Sequence, residues 1–577
     1  MELKQSKWQF REIVSPKISE KLSQELNINK ILSQILVRNG ITSYQDAEQF
    51  FCPDLSRLND PFLLKDMDKA VSRILSAFDK QEKILLFGDY DVDGTTSVSL
   101  CYLFFKQLGK EISFYIPDRH KEGYGVSFQG IDFAHENGFS LIISLDCGIR
   151  SVNHINYATD KGIDFIICDH HLPGSELPKA KAILNPKQQD CLYPYKELSG
   201  CGVGFKLCQA LLRKLNLPDS VIYAFLDLAA VSIACDIVPI TDENRILCYF
   251  GLKQLNENPR PGIKALLDYN VKKKYGINEL LFTVGPRINA AGRLADAKQA
   301  VRLLIEQDFD KANEMAKAIN EHNTTRKNID SNITFEANQI IATDTSFINK
   351  NSTVVFSKHW HKGVVGIVAS RLVELYYKPT IVLCEHEGKI TGSARSVAGF
   401  DIYSAISDAE EHLLQFGGHH FAAGLSLLPQ NLVSFTDKFE NAVKSRIKEE
   451  QKEPIIWIDG ELGVQHINQG FGKTLHRMEP FGPGNMNPIF LFRNIKDTGM
   501  AKTLGSDEKH LKLNVMAGET IVGVTAFNFG HYYHKAKAGM SFDICGHLEK
   551  NHFNGNESLE IRVIDMKPSN HGESDLL

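Results

Sequence analysis

Three carboxylates stand at alternate positions in Asp89-Tyr-Asp-Val-Asp-Gly94, after the apolar run from Lys83 to Gly88 and before a helix-like run that starts at Thr95. Carboxylates that converge on one loop repel each other unless a cation lies among them. Hard oxygen donors select magnesium or manganese. Gly94 is expected to let the chain turn sharply. Alone, such a stretch is equally well a solvated acidic turn. Three further segments tilt the reading. Ile142-Ile-Ser-Leu-Asp-Cys-Gly148 carries Asp146, Asp164-Phe-Ile-Ile-Cys-Asp-His-His171 ends in Asp169, His170 and His171, and the apolar run Ala229-Ala-Val-Ser-Ile-Ala-Cys-Asp236 ends in Asp236. Open α/β sheets bind ligands at the carboxyl ends of their strands. Any one Asp could be a helix cap, but caps draw on other residue types too. Acid and imidazole repeated on four segments point to one shared site.

The elements that must position these groups follow from periodicity. Residues 1–75 read as a helical amino-terminal segment, with helical spacing from Ser19 to Val37. Residues 76–255 alternate short apolar strands (84–87, 112–116, 141–145, 165–168 and 182–184) with helix patterns, as in a parallel α/β sheet. Within a linker at 256–350, Val301, Leu304, Ala312, Met315, Ile319, Ile329, Ile333, Ala337 and Ile340 keep helical spacing, which predicts one long helix or two abutting ones. A second α/β unit is expected at 351–450, with strands at 353–356 and 380–383 around a helix. Residues 451–577 are strand-rich: Leu511, Leu513 and Val515 alternate, as do Leu559, Ile561 and Val563, and Asn554-Gly555 signals a hairpin. Five or so strands there predict a small oligonucleotide-binding barrel.

The bulk numbers bound the rest. At 577 residues the chain should hold three or four domains, and 43% hydrophobic with 23% charged residues is ordinary soluble protein. A net charge of −5 means that any nucleic-acid surface must be a local basic groove. The 11 cysteines show no CxxC pairing, so buried reduced thiols are expected rather than zinc ligands. The start lacks an apolar signal core, and no apolar run reaches the ~18 residues of a membrane span. A cytoplasmic protein is expected.

Taken in order, Asp89–Gly94, Leu145-Asp-Cys-Gly148, Asp169-His-His171 and Asp236 resemble the four motifs of the DHH phosphoesterase superfamily. Gly285-Pro-Arg-Ile-Asn-Ala-Ala-Gly-Arg-Leu294, Trp360-His-Lys-Gly-Val-Val-Gly366, Gly392-Ser-Ala-Arg395 and Gly417-Gly-His-His-Phe-Ala-Ala-Gly424 extend the resemblance to its single-strand-specific exonucleases over nearly the whole chain. The resemblance implies two α/β domains joined by a long helix, plus a carboxyl-terminal OB-fold barrel. It implies a metal-dependent 5′→3′ exonuclease that releases 5′-mononucleotides from single-stranded DNA, in repair and recombination. Two Mn2+ or Mg2+ ions ~3.5–4 Å apart would activate water and stabilise the attacking and leaving oxygens. By similarity, Asp146 bridges the ions, Asp91 binds the first, and Asp93, His170 and Asp236 complete the second. His171 would contact the scissile phosphate, and Asp89 would orient solvent or act as a cap. Arg119, in a glycine-punctuated loop, and Ser393 and Arg395, expected in a similar loop, would hold the 5′ end, while Arg293 and Arg287 would contact the backbone near the cut. His419, in a small-residue turn, is a candidate phosphate contact. Trp360 and His361 are either stacking groups or core. One departure stands out: many members carry a His four residues before the first metal Asp, where this chain has Phe87. The first ion is then expected to have fewer protein ligands.

Two rivals share these motifs. Hydrolases of small nucleotides or pyrophosphate lack the long linker and barrel, and non-catalytic single-strand-binding relatives lack the metal ligands. Both features are present here. A monomer is expected, with a helicase and a single-strand-binding protein as candidate partners. The barrel, with Lys496, Lys502, Lys509, Lys512 and Arg562 near its strands and Phe527 and Phe529 as stacking faces, should be a separable DNA-binding module.

Overall fold

The computed structural model describes residues 6–119, 121–267, 274–294, 296–518, 520–553 and 556–569. Strand β1 (Lys7–Phe10) pairs in parallel with Ile455–Ile458, so the amino-terminal segment joins the start of the carboxyl-terminal region. Helices α1 (Pro16–Leu26), α2 (Lys30–Arg38) and α3 (Tyr44–Phe51) follow. Leu32, Ile35 and Leu36 lie at i, i+3 and i+4 on α2 and make one apolar stripe. That stripe is not covered by the neighbouring α/β unit. With Leu22, Val37 and Ala47 it shares a single core with Phe490, Phe492, Leu511, Val524 and Phe542 near the carboxyl terminus. Helix α4 (Met67–Asp79) turns the other way and buries Met67, Val71 and Ile74 on the first α/β sheet.

That sheet holds β2 (Lys83–Gly88), β3 (Ser113–Tyr115), β4 (Phe139–Leu145), β5 (Asp164–Cys168) and β6 (Ala182–Leu184), all parallel, in the order β3-β2-β4-β5-β6. Alternate strand residues feed two cores, as the two-residue period requires. Leu86, Ile143, Leu145 and Ile166 meet α5 (Val92–Gln107) on one face. Leu85, Phe87, Ile142, Phe165 and Ile167 meet α6 (Phe128–Glu136) and α7 (Val152–Asp160) on the other. Helix α8 (Gly200–Lys214) joins α5 on its face. The apolar run before Asp236 is a buried helix, Leu226–Cys235, hydrophobic all round because it is enclosed by α5, α8 and its successor. The strand order reverses between β2 and β4, which places the topological switch point between the strands that precede Asp89 and Asp146.

The linker is two helices, Lys298–Ile305 and Phe309–Thr343, separated where Asp308 caps the second by accepting from Lys311 N–H. The 35-residue helix bridges the molecule. Ala312, Ala316 and Ile319 enter the first core, and Ile333, Ala337 and Ile341 enter a core under the second sheet. In that sheet β7 (Thr353–Ser357) and β8 (Thr380–His386) are parallel around the helix Val365–Tyr376. Strands β9 (Lys389–Arg395), β10 (Leu413–His419) and β11 (Ala422–Leu427) complete it by antiparallel pairing, in the order β10-β11-β9-β8-β7. Ser393 and Arg395, expected in a loop, therefore lie on a strand. Gly417 and Gly418, expected in a turn, lie within β10.

After β12 (Ile455–Ile458), β13 (Gly460–Glu461), β14 (Phe490–Lys496), β15 (Lys502–Leu504), β16 (His510–Ala517), β17 (Thr520–Ala526), β18 (Ser541–Phe553) and β19 (Asn556–Pro568) form a largely antiparallel sheet of seven strands, ordered β13-β14-β18-β19-β17-β16-β15. Strands β18 and β19 pair antiparallel, while Asn554-Gly555 between them lies outside the described residues. Among the described residues no helix is long and apolar enough to cross a membrane, and no cysteine is disulfide-bonded. Nine cysteines are buried, Cys235 is half-buried and Cys52 is exposed, the last against the expectation that such thiols are interior.

Candidate metal centre and phosphate-binding face

The β2 edge supplies the first three acids. Asp91 caps α5, accepting from Gly94 N–H at 3.0 Å, so capping and ligand duty coexist on one carboxylate. Gly94 is needed for proximity, not for a turn. It sits in the first helical turn without a positive φ, and a Cβ there would come within 2.4 Å of Asp89 O. Asp89 is buried, accepts from Gly125 N–H at 3.2 Å, and has its second oxygen unpartnered. Asp93 reaches α8 and accepts Gly200 N–H at 2.7 Å, Cys201 N–H at 2.9 Å and Ser232 Oγ–H at 2.6 Å. These three donors hold the carboxylate rigidly and leave part of its four-lone-pair capacity unused.

Asp146 follows β4 with φ of 61°, an uncommon conformation for a side chain larger than glycine. Its N–H is fixed to Cys168 O at 2.8 Å, and its Oδ1 lies 3.1 Å from His170 Nε2 without hydrogen-bond alignment. His170 Nε2 also stands 3.5 Å from Asp236 Oδ2 and 3.7 Å from Asp93 Oδ2. Asp236 reaches this point as the carboxyl cap of the Leu226–Cys235 helix. Two ligand triads result, Asp146 with His170 and His171, and Asp93 with His170 and Asp236, the ligand atoms of each lying within 4.8 Å of one another. Asp89 Oδ2, Asp146 Oδ1, both ring nitrogens of His170 and Asp236 Oδ2 are buried with no hydrogen-bond partner. Buried polar atoms are rarely left so, and hard oxygens with neutral imidazole make the donor set that a divalent cation fits.

Electrostatics agree. Burial, then the neighbouring acids Asp93 and Asp91, push the Asp146 and Asp236 carboxyls well above the usual range. Burial and Asp91 do the same to Asp89. Burial lowers the His170 pKa, which favours the neutral form that a ligand needs. Asp169, whose role the sequence left unassigned, is the organiser. It accepts His170 N–H at 2.7 Å, His171 N–H at 3.0 Å, Ile149 N–H at 2.9 Å and His171 Nδ1–H at 2.8 Å. Burial alone would raise its carboxyl, but these bonds hold it down at about 2. His171 is turned by that bond so that Nε2 meets the Tyr124 hydroxyl at 3.0 Å at the mouth of the site. Burial opposes its charged form, yet Asp169 outweighs burial and raises His171. Phe87 packs against Tyr115 at 5.3 Å in a core cluster and offers no ligand.

The DHH family amino-terminal domain matches residues 83–233, the DHHA1 domain 349–445 and the RecJ OB domain 458–565. The chain is 36% identical over 563 residues to the single-stranded-DNA-specific exonuclease RecJ of Bacillus subtilis, across 97% of this chain and 70% of that one. It is 33% identical to the RecJ of Haemophilus influenzae, across 89% of this chain and 92% of that one. The chain belongs to the RecJ family. The crystal structure of RecJ with Mn2+ from Thermus thermophilus shares the fold, with a TM-score of 0.83 at 24% identity over 99% of this chain and 81% of that one.

The basic residues of this RecJ-family chain divide into two groups. Arg119 stacks over Tyr90 at 4.8 Å on the Asp89 side of the centre. Arg293 donates to Gly363 O at 2.8 Å, across to the second α/β unit. Burial, and then the charges of Arg119, Arg326 and Arg395, lower its guanidinium to about 10, so these four cations share one region. Arg395 donates to Ser393 Oγ at 2.7 Å, and both face the first turn of the Val365–Tyr376 helix at Gly366. Arg287 is elsewhere. It is buried and donates to Thr283 O at 2.8 Å and Asn320 Oδ1 at 3.2 Å, so it ties helices together rather than facing the cleft. His419 lies exposed at the end of β10, at the β10–β11 hairpin. Trp360 is core, buried with Nε1–H on Glu336 at 2.8 Å.

On the carboxyl-terminal sheet Lys512 is engaged by Glu560 at 3.3 Å and Lys509 by Asp507 at 2.6 Å. Arg562 stacks over the partly exposed Phe527 at 3.9 Å, with His510 4.9 Å away, while Phe529 joins the core. Sequence reading left Asp169 without a role and did not name Tyr124, Arg326 or Lys187, whose charge bears on His170 and Asp236. Tyr124 was signalled only by the glycines beside it, and Arg326 stands in the polar stretch 321–328 of the long helix, where nothing flags it.

Proposed function

We propose that this chain is a 5′→3′ exonuclease that removes 5′-mononucleotides from single-stranded DNA with two Mn2+ or Mg2+ ions, in the cytoplasm and in the service of repair and recombination. The observation that carries the reading is the pair of ligand triads sharing His170, in which Asp146 Oδ1, both His170 ring nitrogens and Asp236 Oδ2 have no hydrogen-bond partner among the described residues. Family membership supports the substrate class, since the similar RecJ proteins are single-stranded-DNA-specific exonucleases.

Asp146 is suited to bridge two ions, with Asp91 on the first and Asp93, His170 and Asp236 on the second. When bound, the ions would supply an activated water and stabilise the attacking and leaving oxygens. The chain does the remaining work. Asp169 fixes the His171 ring so that Nε2, not Nδ1, is left for the scissile phosphate, and its carboxylate raises the His171 pKa. Arg119, Ser393 and Arg395 bind the terminal 5′ phosphate, where planar guanidinium forks pair with two oxygens. Arg293 holds the backbone between the units, and His419 at the hairpin is a weaker candidate contact on the same side. With Phe87 in the core, that position would give the first ion no protein ligand.

Asp146→Asn tests the assignment. It weakens both ions, so turnover with saturating Mn2+ should vanish while the fold persists. Near-normal turnover of that variant would sink the two-ion reading.

A further inference from the structure

Of the groups assigned to the ions, all but one are held from within the first α/β unit. Asp91 caps α5, Asp93 rests on α8 and Ser232, Asp146 N–H is tied to Cys168 O, and His170 N–H is bound by Asp169. Asp236 differs. Its helix ends there, with Asp236 N–H on Ser232 O at 2.9 Å, and the next residue, Ile237, has φ of 58°. A β-branched side chain is an outlier in that left-handed region. Ile237 is also 60% exposed, so no apolar burial rewards the conformation. Strain of this kind persists only where the surroundings enforce it. Whatever enforces it must grip the residues that follow.

From its own unit that segment receives Tyr195 Oη–H and Asn244 Nδ2–H, each on Pro239 O at 3.0 Å. The rest of the grip comes from the carboxyl-terminal part of the chain. Ile240 N–H donates to Pro483 O at 2.7 Å. Pro483 lies in the tight turn Gly482-Pro-Gly-Asn485, which is closed by Gly482 N–H on Asn485 O and Asn485 N–H on Gly482 O, both at 2.9 Å. The turn lies so close to residues 239–241 that it has no room for side chains. A Cβ at Gly482 would stand 2.4 Å from Ile240 Cδ1, and one at Gly484, where φ is 75°, would stand 2.8 Å from Thr241 Cγ2. The turn is itself anchored. Buried Asn485 donates from Nδ2 to Met478 O at 2.8 Å and Pro480 O at 2.9 Å. Arg245, on the helix Asp242–Glu257 that follows the segment, donates from Nη1 to the same Met478 O at 2.9 Å and lies 3.8 Å over the Phe50 ring of α3. A buried guanidinium is costly to desolvate, and this one clamps the units together beside the segment that leads out of Asp236.

We propose that the turn Gly482–Asn485 is a positioning element for the metal centre: docked on residues 239–241, it holds Ile237 in its strained conformation, sets the Asp236 carboxylate against His170, and so makes affinity for the second ion depend on the carboxyl-terminal unit. The inference rests on the two-ion reading above and deepens it. No residue of the turn touches an ion or DNA in this arrangement. With the turn displaced, Ile237 returns to a negative φ, and Asp236 Oδ2 leaves its place 3.5 Å from His170 Nε2. The first ion, on Asp91 and Asp146, is little affected, because neither residue leans on the turn.

The test uses the full chain, titrated with Mn2+ by calorimetry and followed by electron paramagnetic resonance, in which two neighbouring Mn2+ ions give a spin-coupled signal and a single ion does not. Gly482→Ala should keep the tighter ion and lose roughly ten- to a hundredfold in affinity for the second, the usual effect of removing the support of a metal ligand. At Mn2+ concentrations where wild type gives the coupled signal, this variant should give the uncoupled one. Its KM for a 5′-phosphorylated single strand at saturating Mn2+ should stay as in wild type. Ile237→Asn places at an exposed position a residue better suited to the left-handed region. It should bind both ions as wild type does, and in the Gly482→Ala background it should restore most of the second-ion affinity. Unchanged second-ion affinity in Gly482→Ala overturns the inference and leaves the turn a tether between units. A loss that falls equally on both ions, or one that Ile237→Asn does not restore, overturns it as well. If Gly482→Ala does not fold, Gly484→Ala decides the matter by the same criteria. A wild-type chain that binds a single Mn2+ overturns the two-ion function proposed above instead.

Discussion

Gly200→Ala should disable the metal centre through one methyl group that touches no substrate. A Cβ at Gly200 would stand 2.6 Å from Asp146 Cβ, 2.7 Å from its Oδ1 and 2.9 Å from its Cα. Carbon contacts settle at about 3.5–4.0 Å, so one of the two backbones must move by roughly 1 Å. Asp146 has little freedom to move. Its φ of 61° is already uncommon, and its N–H is bonded to Cys168 O at 2.8 Å. The start of α8 therefore moves, and Gly200 N–H and Cys201 N–H leave the Asp93 carboxylate they now hold at 2.7 and 2.9 Å. Both ligand triads are disturbed together. Overpacking of this kind costs about 1–3 kcal/mol of stability, which a domain of this size tolerates. A misplacement of about 1 Å in a catalytic arrangement costs on the order of a hundredfold in rate. Calorimetric titration with Mn2+ and initial rates on 5′-phosphorylated single strands read the two effects, with circular dichroism to confirm the fold. Wild-type Mn2+ affinity and rate in Gly200→Ala would refute the reasoning, because the approach of α8 would then not be what sets the ligands.

Two further outcomes are expected. In metal-free protein, the raised Asp89, Asp146 and Asp236 carboxyls bind protons more tightly folded than unfolded; their contribution is therefore full below about pH 4 and is lost as pH rises toward the raised values. Asp169, held at about 2, has the opposite sign and lends on the order of 2 kcal/mol that is lost only as pH falls from about 4 toward 2. Thermal unfolding in chelator should show Asp146→Asn more stable than wild type at neutral pH and Asp169→Asn less stable, and the reverse order would contradict this assignment of roles. Truncation at Gln451 should yield an insoluble chain, because Leu22, Leu32, Ile35, Leu36 and Val37 lose their cover, at about 1.5–3 kcal/mol for each large side chain. Deleting the first three helices as well should restore a soluble α/β core, a difference that size-exclusion chromatography would reveal.

That truncation also marks where the sequence stopped being informative. Strands β2, β4 and β5 were legible because each is a short apolar run closed by acid or imidazole, and local pattern suffices for a buried parallel strand. The linker helices were legible because their apolar spacing persists over many turns. The partner of an apolar stripe is not a local property, so nothing in α2 says that Phe490 and Leu513 will cover it. The site divides in the same way. Asp91, Asp93, Asp146, His170 and Asp236 could be named from type and position. The donors that hold Asp93, namely Gly200, Cys201 and Ser232, lie more than a hundred residues away and carry no chemical flag. Arg287 and Arg293 share one helix and look alike in sequence, yet one is turned into a helix seam and the other toward the cleft. Ser393 and Arg395 read as loop residues because Gly392 and the small residues around them mask a strand that pairs on both sides.

The most direct measurement is a cleavage assay with purified chain and Mn2+ on three substrates: a single strand labelled at its 5′ end, the same strand labelled at its 3′ end, and a blunt duplex. The 5′-labelled strand should release labelled mononucleotide from the first turnover, the 3′-labelled strand should shorten progressively while keeping its label, and the duplex should persist. Mononucleotide released first from the 3′ end, equal degradation of the duplex, or no cleavage of any substrate would contradict a 5′→3′ single-strand exonuclease.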